Sequence, residues 1–199
     1  EANVLDAHTT GVVTATLSTT AIGDLDDLTG TGNAYTITVA TAQVTAAALN
    51  TVNAATTVNV TATAVTQITG TAAQLATTYA GGITGLGGET LIVSDTTLAA
   101  ATLTPIINNY TTVAINANAA TTITGTNAEI VAVYTADTAS TVIVDTDAKL
   151  TVSSGTITHT EANVLDAHTT GVVTATLSTT AIGDLDDLTG TGNAYTITV

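Results

Sequence analysis

The chain has 199 residues, of which 52 are Thr and 35 are Ala, and its formal net charge is −15 with Lys149 as the one fixed cation. It has no Cys, Met, Trp, Phe or Arg, so disulfides and zinc–cysteine chemistry are excluded, and the basic surface that nucleic acid or anionic lipid requires is missing. No run of 18 apolar residues is present to form a spanning helix. Regularly placed β-branched residues argue for a folded, soluble chain rather than a disordered one.

Residues 161–199 restate residues 1–39 without a mismatch, which sets a period of 160. A self-contained domain would not stop partway through a second copy. The sequence therefore reads as an internal piece of a tandem array, the alternative being an artificial repetition of the first segment. Within the period, a weaker repeat is anchored by Ile22, Ile68, Ile123 and Ile182, giving sub-repeats 22–67, 68–122 and 123–181.

In chain order, strand-like runs begin near Tyr35, Val58, Leu91, Val113, Val142 and Val172, returning at Tyr195. Six strand-bearing coils per period, averaging about 27 residues, lie in the range of solenoid repeats. Alternation predicts Val58, Val60 and Ala62 inward with Asn59, Thr61 and Thr63 outward, and likewise Val113, Ile115 and Ala117 against Ala114, Asn116 and Asn118.

Between the strands lie short helices. Val44, Ala48, Leu49 and Val52 recur at helical spacing, as do Leu75 with Tyr79 and Ile130 with Tyr134. Thr71 with Gln74 and Thr126 with Glu129 match the capping box, in which a hydroxyl and a side chain three residues on satisfy orphan N–H groups reciprocally. Pro105 should open or kink its helix. The runs VTQITG, TTITG and LTVSSGTITHT indicate a second, narrower strand face. The expected fold is α/β: one continuous right-handed solenoid over 1–199, with parallel strands and short helices.

Residues 68–103, ITGTAAQLATTYAGGITGLGGETLIVSDTTLAAATL, resemble the Thr/Ala-rich tandem repeats of giant bacterial surface proteins, particularly those of marine cyanobacteria. The likeness extends loosely over the whole chain. It implies secretion and a place at the cell surface, with adhesion, surface-layer or filament formation as the role, and no catalytic residue.

Asp24, Asp26 and Asp27 with Asn33 form the densest group of oxygen ligands and are the candidate calcium site, although the spacing is neither that of an EF-hand nor that of a calcium-binding β-roll. Asp145 and Asp147, read as alternate positions of one strand, could hold a cation shared with a neighbouring coil or chain. The ordinary alternative is a solvated acidic face, with Asp24 complementing a helix N-terminus. No cofactor is called for beyond calcium.

His8, His168 and His159 lack partners for a metal set or triad, and read as capping or surface residues. Ser94, Ser153 and Ser154 have no base in any recognisable motif. The glycine-rich stretch 81–88 is followed by no Lys, so a loop excursion is expected rather than a phosphate cradle.

The pairs Thr36 with Thr38, Thr61 with Thr63, and Thr174 with Thr176 raise an ice-binding alternative, which Ile92, Ser94, Asn116, Asn118, Ile143 and Asp145 interrupt at equivalent positions. The leading expectation is a noncatalytic structural segment of an extracellular filament or adhesin stalk. An ice- or carbohydrate-binding module and a calcium-dependent adhesion module are the alternatives. One period carries a formal charge of −10, so association, end to end or lateral, should respond to divalent cations.

Overall fold

The computed structural model describes residues 1–110, 112–178 and 181–197, and within them not the side chains of 107–109. The chain folds into two compact units, one of residues 1–92 with 110–113 and the other of 93–109 with 114–199. Both mix short helices with parallel strands. Among the described residues every strand pairing is parallel and no sheet closes into a barrel.

The first unit contains α1 (Ala2–Ala7), β1 (Thr14–Thr16), α2 (Ile22–Leu25), β2 (Ala34–Thr36), β3 (Gln43–Thr45), α3 (Ala46–Ala54), β4 (Val60–Thr61), β5 (Gln67–Gly70), α4 (Ala72–Thr78), β6 (Ile83–Thr84) and, except for its last residue, β7 (Thr90–Val93). β1 pairs with β2, β4 with β6, and β7, β5 and β3 lie side by side in that order. Gln43 stands opposite Gln67, Val44 opposite Ile68 and Thr45 opposite Thr69. The side-chain period of two then stacks an apolar column, Val44 and Ile68, inside and a polar one outside.

The second unit contains β8 (Thr97–Ala99), α5 (Ala100–Asn109), β9 (Ile115–Ala117), β10 (Thr122–Gly125), α6 (Asn127–Thr138), β11 (Val142–Val144), β12 (Lys149–Val152), α7 (His159–Asp166), β13 (Val173–Thr176), α8 (Ile182–Leu185) and β14 (Ala194–Thr196). Its five-stranded sheet runs β14-β13-β12-β10-β8, and β9 pairs with β11. Leu98, Ile123, Leu150 and Val173 face one another in successive strands and are all buried. This aliphatic column is the spine of the unit's core.

The motif ITGT has a packing reason. A Cβ on Gly70, at the end of β5, would lie 2.7 Å from the Cβ of Ala46, the first residue of α3, and one on Gly125, at the end of β10, would lie 3.2 Å from that of Ala100, the first residue of α5. At Gly70 a side chain would collide with the preceding helix start, and at Gly125 it would crowd it.

The Thr that follows each of these glycines caps the next helix. Thr71 and Thr126 form the reciprocal boxes expected with Gln74 and Glu129. A third box, unforeseen, joins Thr158 to Glu161 at α7. Glu161 carries a carboxyl held below the usual range by the Thr158 backbone N–H foremost, against the opposing effect of burial, with the Thr158 hydroxyl and the Asn127 amide helping.

Depression of a folded-state pKa adds stability that is present above the unfolded value and lost as pH falls through the folded one. Thr158→Ala is therefore expected to destabilise the chain by about 1 kcal/mol near neutrality. The difference from the parent should shrink once acid has protonated Glu161. Urea midpoints at neutral and acid pH check this, and an undiminished difference in acid would contradict it.

Several local expectations need correction. Val58 and Val113 are each 38% exposed, because β4 and β9 begin two residues later, at Val60 and Ile115. Of the two outcomes expected for Pro105, opening the helix is the one that fails, since it lies inside α5, where it can offer no N–H to the carbonyl of Ala101. Ala48 is only half-buried, while Val44 precedes the helix in β3. The second strand face is not narrow in the second unit, since β10 and β12 belong to the five-stranded sheet, and β13 and β14 join it too.

Candidate functional site

The acidic residues of the first unit divide between two tasks. Asp24 sits in the first turn of α2, where the Thr19 hydroxyl donates to its Oδ2 at 2.8 Å and the helix N-terminus favours its charge. Asp26 is the C-cap of the same helix. Asp27 engages through its carbonyl, which accepts from Asn3 Nδ2 at 2.8 Å.

Asn33 is buried and committed elsewhere. Its Oδ1 accepts from the Val13 N–H at 2.9 Å and its Nδ2 donates to Asp6 Oδ1 at 2.7 Å. This bracket ties together residues 20 and 27 positions apart in the sequence. A Cβ on Gly30 would stand 2.5 Å from Asp6 Oδ2, so glycine makes room for the carboxylate.

The same bracket recurs in the second unit. Asn193 Nδ2 donates to Asp166 Oδ1 at 2.7 Å, and Asn193 Oδ1 accepts from the Val173 N–H at 2.8 Å. A second clamp is likewise duplicated: Asn3 Oδ1 accepts from the Thr29 N–H at 3.1 Å, and Asn163 Oδ1 from the Thr189 N–H at 3.0 Å. Burial raises the hydroxyl pKa of Tyr35 and of Tyr195, and the carboxylates of Asp6 and Asp166 add to it.

Asp145 and Asp147 do not share a strand. β11 ends at Val144, and both residues fall in the turn that follows, where the Asp147 N–H donates to Asp145 Oδ1 at 3.4 Å and the Ala148 N–H to the Asp145 carbonyl. An Asp side chain that captures a backbone N–H two residues on favours such a turn over continued strand. Among the described residues no three His, Cys, Asp or Glu side chains converge as a metal-holding group.

The histidines have separate surroundings. His8 caps the end of α1, its Nδ1 2.8 Å from the Val4 carbonyl oxygen. His168 stacks on Tyr134 with ring centroids 5.0 Å apart. Burial pushes the Tyr134 hydroxyl up to about 12, opposed by the Thr169 hydroxyl and assisted by the Asp137 and Asp145 carboxylates. His159 opens α7 with Nε2 3.1 Å from the Thr160 hydroxyl. Ser94, Ser153 and Ser154 are exposed.

The glycine stretch 81–88 contains β6, so it is not wholly an excursion. Gly81, Gly82, Gly85 and Gly87 all have positive φ, a conformation that glycine alone adopts without strain. The N–H groups of Gly87 and Gly88 converge on Oε2 of the buried Glu89, at 2.8 and 3.0 Å. The acceptor at this turn is thus a side chain of the chain itself.

Thr38, Thr61 and Thr84 occupy matching positions on successive strands, and Thr84 Oγ1 donates to the Val60 carbonyl at 3.2 Å. Other threonines are used in the same way. The hydroxyls of Thr57, Thr66, Thr112 and Thr121 likewise donate to carbonyls 24 or 25 residues earlier in the sequence. No protein-family model, curated protein or solved structure matches the chain.

Proposed function

We propose that the chain is a noncatalytic, structural stretch of a tandem array on a bacterial cell surface, in which stacked coils form a solenoid serving as a stalk or filament. The observation that carries this reading is the pairing step. Each parallel strand meets a partner 20 to 27 residues away: Thr14 with Ala34, Val60 with Ile83, Thr97 with Thr122, and Thr122 with Lys149. A short step of this kind makes each coil contact mainly its neighbours, so added coils increase length without enlarging a common core.

The duplicated brackets at Asn33 and Asn193 support the same reading, because identical sequence produces an identical clamp between coils. Function would then reside in reach and surface coverage, and the excess of acid would keep neighbouring arrays apart.

The test is length against mass. Parallel strands lie about 4.8 Å apart, so six coils should advance the axis by roughly 29 Å for each 160-residue period. Chains carrying one, two and three further periods should lengthen by that increment at constant cross-section, as read by small-angle scattering or electron microscopy. A radius of gyration that grows only as the cube root of mass would overturn the reading.

A further inference from the structure

Two of the five tyrosines, Tyr79 and Tyr110, meet face to face within the first unit. Tyr79 is the C-cap of α4, and its N–H donates to the Leu75 carbonyl at 3.3 Å. Tyr110 directly follows α5. Just beyond it, the Thr112 N–H and hydroxyl both donate to the Gly87 carbonyl, at 3.2 and 3.3 Å, and hold the chain in place.

The two rings stack with centroids 4.7 Å apart and planes inclined by 17°. Both residues are half-buried, and the Tyr79 hydroxyl is buried without a hydrogen-bond partner. The other tyrosines are placed differently. Tyr35 and Tyr134 are buried, and Tyr134 stacks on His168. Tyr79 with Tyr110 is the one tyrosine pair in ring contact among the described residues.

We infer that Tyr79 and Tyr110 form a site of oxidative cross-linking, where a one-electron oxidant generated from hydrogen peroxide joins the two rings as dityrosine. Each phenol gives up one electron and its hydroxyl proton, and the two phenoxyl radicals form a bond between carbons ortho to the oxygens. The ortho hydrogens then move to the oxygens and restore both phenols. Two tyrosines thereby lose two hydrogens, and one peroxide is reduced to two waters.

Coupling demands two radicals side by side, which separate chains in dilute solution seldom supply. A fixed stack supplies them at high effective concentration. No hydrogen bond tethers the Tyr79 hydroxyl, so that ring can slide from an offset stack to an edge-joined pair as the bond forms. The product is a covalent staple in a chain that has no cysteine and therefore no disulfide.

The full chain, dilute and treated with a haem peroxidase and hydrogen peroxide, should lose the mass of two hydrogens, stay monomeric and gain dityrosine fluorescence. After denaturation, cleavage at acidic residues cuts at Glu89 and Asp95, between the two rings. The peptides bearing Tyr79 and Tyr110 should come off covalently joined. Tyr79→Phe and Tyr110→Phe keep a stacked ring but lack the phenol, and each should lose this product, whereas Tyr134→Phe should keep it. A parent chain that forms no dityrosine, forms it only between chains, or joins another tyrosine pair would overturn the inference. So would survival of the product in either of the first two variants. The stack lies within one unit, so this result is independent of the axial increment expected of longer arrays, and either reading can fail alone.

Discussion

Ile123→Ala should destabilise the chain by about 2–5 kcal/mol, the range for truncating a large aliphatic side chain in a core. Ile123 is fully buried in β10, with Leu98 of β8 opposite on one side and Leu150 of β12 opposite on the other. Both neighbours are pinned by their own ladders, so the sheet can close little of the cavity. Ile143→Ala is the control: Ile143 lies on the outer face of β11 and is 44% exposed, and its loss should cost well under half as much. Urea denaturation of the two variants reads the difference directly. Equal costs would mean that the column through Leu98, Ile123 and Leu150 does not hold the second unit together.

Local chemistry made part of this fold legible. Thr71 with Gln74 and Thr126 with Glu129 could be read because a capping box is complete within four residues, and the boxes stand where expected. Thr158 with Glu161 carries the same signature. It went unread because Glu161 marks the start of the second copy, so the box straddles a boundary drawn for another reason. The strands could be located from β-branched runs, but their partners could not. Val172 and Tyr195 look like further members of the series begun by Tyr35, yet β13 and β14 extend the sheet of β8, β10 and β12.

The candidate site was less legible for a physical reason. Asn33 has acidic neighbours in sequence at Asp24, Asp26 and Asp27, and nothing local assigns it instead to Asp6, 27 residues away. That pairing spans the distance between paired parallel strands, which no local pattern encodes. Gly30 was the available signal, since a glycine three residues before a buried Asn leaves space for an incoming carboxylate. Identical sequence can also meet different surroundings, as Leu5 and Leu165 do, and no reading of residue types separates them.

The same logic yields a prediction in which one substitution has two outcomes. Gly11 and Gly171 are equivalent positions of the repeat. A Cβ on Gly11 would have the Thr9 hydroxyl oxygen as its nearest neighbour, at 3.4 Å, an ordinary contact. A Cβ on Gly171 would collide with the backbone carbonyl oxygen of Asp147 and lie 2.7 Å from that of Ala148. Those carbonyls cannot swing aside cheaply. The Thr169 hydroxyl donates to the Ala148 carbonyl at 2.6 Å and the Leu150 N–H to the Val172 carbonyl at 3.0 Å, fixing the two backbones against each other. Gly171→Ala should therefore cost about 1–3 kcal/mol or more through overpacking, and loosen β13 from β12. Gly11→Ala should be neutral or slightly stabilising, because alanine narrows the unfolded ensemble where the native backbone accepts it. Hydrogen exchange at the Leu150 amide should accelerate in the first variant and not in the second. Equal stability of the two would show that the second copy is not packed against the turn at Asp147 and Ala148.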